Sequence, residues 1–127
     1  MHVAVVAGET SGDQLGSGVL ASLRSLVGDL RITGVGGSAM AAQGLESLHA
    51  MEDISLMGLD GVTEKVCKAI QIRNALFKTF LDDPPDVFLG IDIPDFNISL
   101  EQRLKAHRIP TAHLVSPTVW AWRSYRI

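Results

Sequence analysis

Short apolar runs alternate along the chain with longer segments in which apolar positions recur every three or four residues. Residues 2–7 form the first run, His-Val-Ala-Val-Val-Ala, and it stops at Gly8. A compact β-branched and alanine stretch of this kind suits a strand buried on both faces of a parallel sheet. After a Gly-rich turn, Leu15, Val19, Leu20, Leu23 and Leu26 fall at helical spacing, which predicts a helix over residues 13–26. Residues 31–35 predict a second strand ending at Gly36-Gly37. Ser38 can cap a short helix through Gln43, with Gly44 as its stop, and residues 45–48 predict a third strand.

A longer helical pattern covers residues 62–81. Val62, Val66, Ala69, Ile70, Leu76 and Phe80 are apolar, Lys65, Lys68, Arg73 and Lys78 lie between them, and Pro84-Pro85 prevents continuation. Residues 87–91 read as another buried strand, residues 92–97 as a polar loop, residues 98–107 as an amphipathic helix and residues 110–115 as a last strand. Strands alternating with helices require right-handed βαβ crossovers. The expectation is therefore an α/β, Rossmann-like parallel sheet with helices on both faces, in the strand order 3-2-1-4-5.

Composition narrows this picture. A chain of 127 residues with 46% hydrophobic content can bury one core, so residues 1–127 are expected to form one domain. Eleven basic residues against fourteen acidic ones give a net charge of -3, and basic and aromatic residues are not interleaved. Nucleic acid is therefore not an expected partner. Cys67 is the single cysteine, which fits a reducing, cytoplasmic compartment. No apolar stretch is long enough to cross a bilayer, so any membrane contact is expected to be peripheral. Trp122, Tyr125 and two arginines close the chain without a terminating signal, as if it continued.

In an open parallel sheet, ligands collect beyond the carboxyl ends of the strands. Four unusual clusters fall there: Gly8-Glu9-Thr10-Ser11-Gly12-Asp13, Gly34-Val35-Gly36-Gly37, Asp92-Ile93-Pro94-Asp95-Phe96-Asn97 and Ser116-Pro117-Thr118-Val119-Trp120. The first cluster lacks the G-x-G-x-x-G spacing of a dinucleotide loop, and its carboxylates stand where a dinucleotide would bring negative charge. It also lacks the G-x-S-x-G of a hydrolase elbow. Gly16 and Gly18 can serve only to shape the turn and let the first helix pack.

Asp92 directly follows a buried run, where its partly solvated side chain can act either as a general base or as a cap. With strands one and four adjacent, Glu9 should share its crevice. Asp95, beside Pro94, fits a turn as well as a contact. His113 reads more simply as an anchoring group inside the last strand. Trp120 and Trp122, with Arg123 after them, suit either a sugar-stacking wall or an interface. The four histidines are scattered, with no zinc-site spacing.

Five strings resemble the lipid-A-disaccharide synthase family in order and spacing. They are residues 7–13 (AGETSGD), Met51-Glu52-Asp53 with Met57-Gly58, residues 85–88 (PDVF), residues 90–97 (GIDIPDFN) and residues 115–123 (VSPTVWAWR). The resemblance implies the N-terminal, acceptor-side domain of a two-domain GT-B glycosyltransferase whose C-terminal half holds most UDP contacts. It implies inverting transfer of 2,3-diacylglucosamine from UDP-2,3-diacylglucosamine to the 6-hydroxyl of 2,3-diacylglucosamine 1-phosphate, with release of UDP and without metal or organic cofactor.

On this resemblance Asp92 is the candidate base and Glu9 its catalytic partner or an acceptor contact. Ser11, Asn97, Asp95, Trp120 and Arg123 are candidate substrate-binding residues. The expected location is cytoplasmic and peripheral on the inner membrane, with residues 62–81 as the docking helix. From the residues alone, a non-catalytic nucleotide- or phosphate-binding module, or an interaction piece using Trp120, Trp122 and Tyr125, remains a competing reading.

Overall fold

The computed structural model describes residues 1–55 and 63–115. Five parallel strands, β1 (His2–Ala7), β2 (Arg31–Val35), β3 (Leu45–Ser47), β4 (Val87–Ile91) and β5 (Thr111–Leu114), form one sheet in the order β3-β2-β1-β4-β5. The helices are α1 (Thr10–Leu26), α2 (Ser38–Ala42), α3 (Thr63–Asp82) and α4 (Pro94–Ala106), with a 3-10 turn at Met51–Asp53. This is the Rossmann-like arrangement that the run-and-period pattern predicts.

The two-residue period of a strand divides the core into two layers. From β1, Val3, Val5 and Ala7 enter one layer with Leu20 of α1 and Met40 of α2. Ala4 and Val6 enter the other with Ala69, Ile72, Leu76 and Phe80 of α3 and Phe96, Leu100 and Leu104 of α4. All of β1 from Val3 to Ala7 is inaccessible to solvent, as a central strand covered on both faces must be. Gly34 in β2 has φ 141, and a Cβ there would collide with the carbonyl of Val5. Only glycine lets β2 lie this close to β1.

Helix starts differ from the sequence expectation at three places. Ser38, read as a cap, is the first residue of α2. The first helix begins at Thr10 rather than Asp13, with Glu9 as its extended N-cap residue. The fourth begins at Pro94 rather than Ile98, so Asp95 and Asn97 belong to its first turns and not to a loop. Proline is well suited to the opening position of a helix, because its missing N–H has no intrahelical partner there anyway. Pro94 thus starts a helix instead of prolonging a loop.

α2 is only five residues long, and its N-cap residue Gly37 has no side chain to cap it. The cap comes from α1 instead. Asp13, 4% exposed, accepts hydrogen bonds from the N–H groups of Gly37 (2.9 Å), Ala39 (2.9 Å) and Met40 (3.0 Å). A carboxylate at a helix start satisfies donors that no backbone carbonyl can reach. Gly16 faces Met40 where a Cβ would have no room, so α1 packs closely on α2.

At the opposite, amino edge, Arg31 and Asp83 pair at 2.6 Å, both about half exposed. The hydrogen bond from Arg31 holds the Asp83 carboxyl below its usual range, and the same contact raises the Arg31 guanidinium.

Two outcomes follow from this packing. Asp13→Ala strands three backbone donors, so urea unfolding should show a loss of about 2–4 kcal/mol; a loss under roughly 0.5 kcal/mol would contradict the capping role. The Asp83 pair stabilises the fold above the ordinary aspartate value and loses its effect as pH falls below about 4. Asp83→Asn should therefore differ from the parent at neutral pH, modestly and in a salt-sensitive way, and converge with it in acid.

Candidate functional site

The strand order sets β1 and β4 side by side, with Ala7 in register with Ile91. Their following loops leave the sheet at the same carboxyl edge. The contact between them is direct: a Cβ on Gly8 would lie 2.8 Å from the Ile93 side chain. Gly8 thus leaves the space that Ile93 fills.

Asp92 leaves β4 with φ 50, and Ile93 follows with φ 34. Aspartate tolerates this left-handed region better than most residues, whereas a β-branched isoleucine there is strained. The turn is held from both sides. The Asp92 N–H donates to the Leu114 carbonyl of β5 at 2.8 Å. The Asn97 amide donates to the carbonyls of Val6 (3.2 Å), Ile91 (3.3 Å) and Asp92 (3.2 Å). The Asp92 carboxylate is half-buried and stands over the first turn of α1, where a Cβ on Gly12 would lie 3.4 Å from its Oδ2. Unpaired N–H groups of that turn give it a partial positive charge.

One strand away, Glu9 is exposed and its side chain makes no capping hydrogen bond to α1. It lines an open crevice of about 300 Å³ with Gly8, Thr10, Met51, Glu52 and Ser55. A polar hollow of about 250 Å³ lies alongside, lined by Glu52, Asp53, Lys65 and Lys68, with Lys68 paired to Asp53 at 3.3 Å. A larger apolar hollow, about 450 Å³, runs along the outer face of α1 from Gln14 to Leu26. It carries no titratable side chain, whereas the smaller crevice at the sheet edge carries Glu9 and Glu52.

The sequence-derived candidates divide accordingly. Asp92, Glu9 and Ser11 all lie just beyond the carboxyl ends of β1 and β4, Ser11 being exposed in the first turn of α1, and of the three Glu9 lines the crevice. Asp95 is exposed in the first turn of α4, and its carbonyl accepts from Arg73 at 3.4 Å. Asn97 is inaccessible to solvent, and its amide serves the Asp92 turn rather than the open crevice. Trp120 and Arg123 lie outside the described residues. Among the described residues no group of three or more His, Cys, Asp or Glu side chains gathers as a metal site, and no helix is long and apolar enough to cross a membrane.

Several participants escaped sequence reasoning. Asp13 lies 24 residues from Gly37, and no local pattern announces so remote a cap. His113 Nδ1 donates to the Glu101 carboxylate of α4 at 2.8 Å, an anchor whose partner the sequence leaves unnamed. Glu52 and Ser55 enter the crevice from the 3-10 turn and the residues after it; the Met51-Glu52-Asp53 string marked the place without a role.

Comparison with known proteins agrees with the fold. Two solved structures share the fold. A glycotransferase of kitacinnamycin superposes with TM-score 0.62 at 19% identity, over 98% of this chain and 34% of that one. A UDP-GlcNAc 2-epimerase from Neisseria meningitidis, bound to UDP-GlcNAc, superposes with TM-score 0.55 at 12% identity, over 89% of this chain and 31% of that one. Curated relatives named lipid-A-disaccharide synthase are closer in sequence: that of Alkalilimnicola ehrlichii is 50% identical and that of Serratia proteamaculans 49%, each over 127 residues. These alignments cover 100% of this chain and 33% of each relative, so the chain spans about a third of their length. The family described as lipid-A-disaccharide synthetase matches residues 3–127, and this chain belongs to that family.

Proposed function

We propose that this chain is the acceptor-side, N-terminal domain of a GT-B lipid-A-disaccharide synthase. The whole enzyme would move 2,3-diacylglucosamine from UDP-2,3-diacylglucosamine to 2,3-diacylglucosamine 1-phosphate. The observation that carries the reading is the Asp92 carboxylate, held in a left-handed turn at the end of β4 and over the first turn of α1. Family membership supplies the reaction class.

In this reading the acceptor's 6-hydroxyl enters the crevice beside Glu9 and gives its proton to Asp92 as its oxygen attacks the anomeric carbon. The new carbon–oxygen bond forms on the face opposite the departing UDP, whose bond to that carbon breaks, so configuration inverts. Asp92 accepts the proton, and the negative charge leaves on the diphosphate. Holding the base within hydrogen-bond reach of the hydroxyl is what turns proton transfer into catalysis. Glu9 orients the acceptor or shares the proton, with Ser11 and Asp95 as polar contacts at the rim. Asn97 acts from beneath as a positioning group. Trp120 and Arg123 remain candidate sugar and phosphate contacts, and no metal or organic cofactor is invoked.

A phosphate-binding module without chemistry would use the N-terminus of α1 for its anion. That place already has the Asp92 carboxylate beside Gly12, which would repel a phosphate. The transferase reading is therefore favoured.

The substrates carry acyl chains, so the protein is proposed to work on the cytoplasmic side of the inner membrane as a peripheral protein. Of the predicted docking helix, Ala69, Ile72, Leu76 and Phe80 face the core, while Lys65 and Lys68 are exposed and Val66 and Ile70 are partly so. Val62 lies outside the described residues. Membrane contact is thus proposed for the first two to three turns of α3. Co-sedimentation of the full-length protein with anionic vesicles should fall on changing Val66 and Ile70 to serine, and unchanged binding by a folded variant would count against the contact.

For the chemistry, Asp92→Asn in the full-length enzyme keeps the side chain's shape and removes the proton acceptor. Turnover should fall ~10²–10⁴-fold with little change in donor KM and in melting temperature. A folded variant with near-wild-type turnover would move the base to Glu9.

A further inference from the structure

One face of α4 carries two polar side chains one turn apart, Asn97 and Glu101, and both are turned toward the sheet. Asn97 is fully buried, and its amide reaches the carbonyls of Val6, Ile91 and Asp92. Glu101, with a side chain only 12% exposed, meets Nδ1 of His113 in β5 at 2.8 Å, and that histidine is itself 23% exposed. Buried polar groups of this kind are costly unless paired, so their presence in a seam between helix and sheet calls for a reason.

Gly90 supplies the room for both. A Cβ at that position would collide with the Glu101 carboxylate and would lie 3.0 Å from the Asn97 Cβ. The bare backbone of β4 thus lets the polar face of α4 lie directly on the strand that leads into Asp92.

The two contacts close around the same residue. Asn97 holds the Asp92 carbonyl. The Glu101–His113 pair holds β5 to α4 at the residue just before Leu114, whose carbonyl receives the Asp92 N–H at 2.8 Å. Both backbone polar groups of Asp92 are therefore fixed by elements that α4 ties together. The left-handed φ of Asp92 and of Ile93 aims the carboxylate, and such a conformation persists only where its surroundings over-determine it.

We propose that Asn97, Glu101 and His113 form a brace that positions the Asp92 carboxylate for the transfer reaction, without touching substrate. The proposal rests on the reading of Asp92 as the base. Glu101 and His113 are positioning residues that act through β5, and Asn97 acts through the turn itself. A misplacement of about 1 Å at a reacting group can cost as much as a hundredfold in rate, so a loosened brace should appear in turnover more than in substrate affinity.

The test uses full-length enzyme with Asp92 and with Asp92→Asn, each combined with His113→Leu or His113→Gln, and records kcat, acceptor KM and a thermal melt. With Asp92 present, His113→Leu should lower kcat by about 10- to 100-fold and leave acceptor KM nearly unchanged. His113→Gln restores a donor to Glu101 and should recover most of the loss. On the Asp92→Asn background His113→Leu should have no further effect on kcat, because residues acting as one unit are not additive.

If the leucine variant does not fold, Glu101→Gln, which keeps the shape and weakens the pair, gives the same pattern with a smaller loss. An equal proportional loss on both backgrounds, a change confined to KM, or no loss at all would overturn the brace while leaving Asp92 as base. Full turnover by Asp92→Asn alone would instead remove the base assignment, and the brace with it.

Discussion

At the carboxyl edge the chain passes from β4 into α4 through only two residues, Asp92 and Ile93, both left-handed, and the Asn97 amide fastens that turn across the ends of β1 and β4. A left-handed non-glycine residue costs on the order of 1–3 kcal/mol. Each neutral hydrogen bond from Asn97 contributes about 0.5–1.5 kcal/mol, so its three bonds are of the same order as the cost of two such residues. The Ile93 side chain, seated in the space that Gly8 leaves and packed on the α3–α4 layer, adds to them. Four features of the sequence, Gly8, Gly90, Pro94 and Asn97, thus serve one short connection.

That connection explains why the Asp92 carboxylate lies where it does. A longer loop after β4 would let the aspartate swing into solvent, whereas a two-residue turn holds it over the start of α1. On the other side of β1, Asp13 draws α2 against α1 and so settles the loop after β2. Asp13 and Glu9, both near the start of α1, therefore do opposite work. Asp13 is buried in backbone donors and is structural, while Glu9, at the open N-cap position, keeps its side chain toward the crevice.

The sheet was legible in the sequence because parallel strands buried on both faces read as largely apolar runs; β4 and residues 3–7 of β1 are of that kind, while β2 carries the buried Thr33 within it. The common 3-2-1-4-5 order of such sheets put Glu9 and Asp92 on neighbouring strand ends. The start of α4 was not legible: Ile93-Pro94-Asp95 has the composition of a turn, and only tertiary contacts make the proline a helix opener. The partners of Asp13 and His113 were also hidden, since they lie 24 and 12 residues away along the chain and follow no local period. Pattern reasoning finds which residues reach an edge, but not which of them are consumed in holding it together. Asn97 shows the difference, being polar and at the right edge yet wholly buried.

The central claim is that the Asp92 carboxylate itself accepts the acceptor's proton. Replacing Asp92 by glycine in the full-length enzyme relieves the left-handed strain and leaves a void at the carboxylate's place, into which formate can be supplied as a free carboxylate. Turnover of the folded Asp92→Gly enzyme should be very low alone and should rise with formate toward saturation, while the parent enzyme does not respond. Turnover near that of the parent without any formate would contradict the claim.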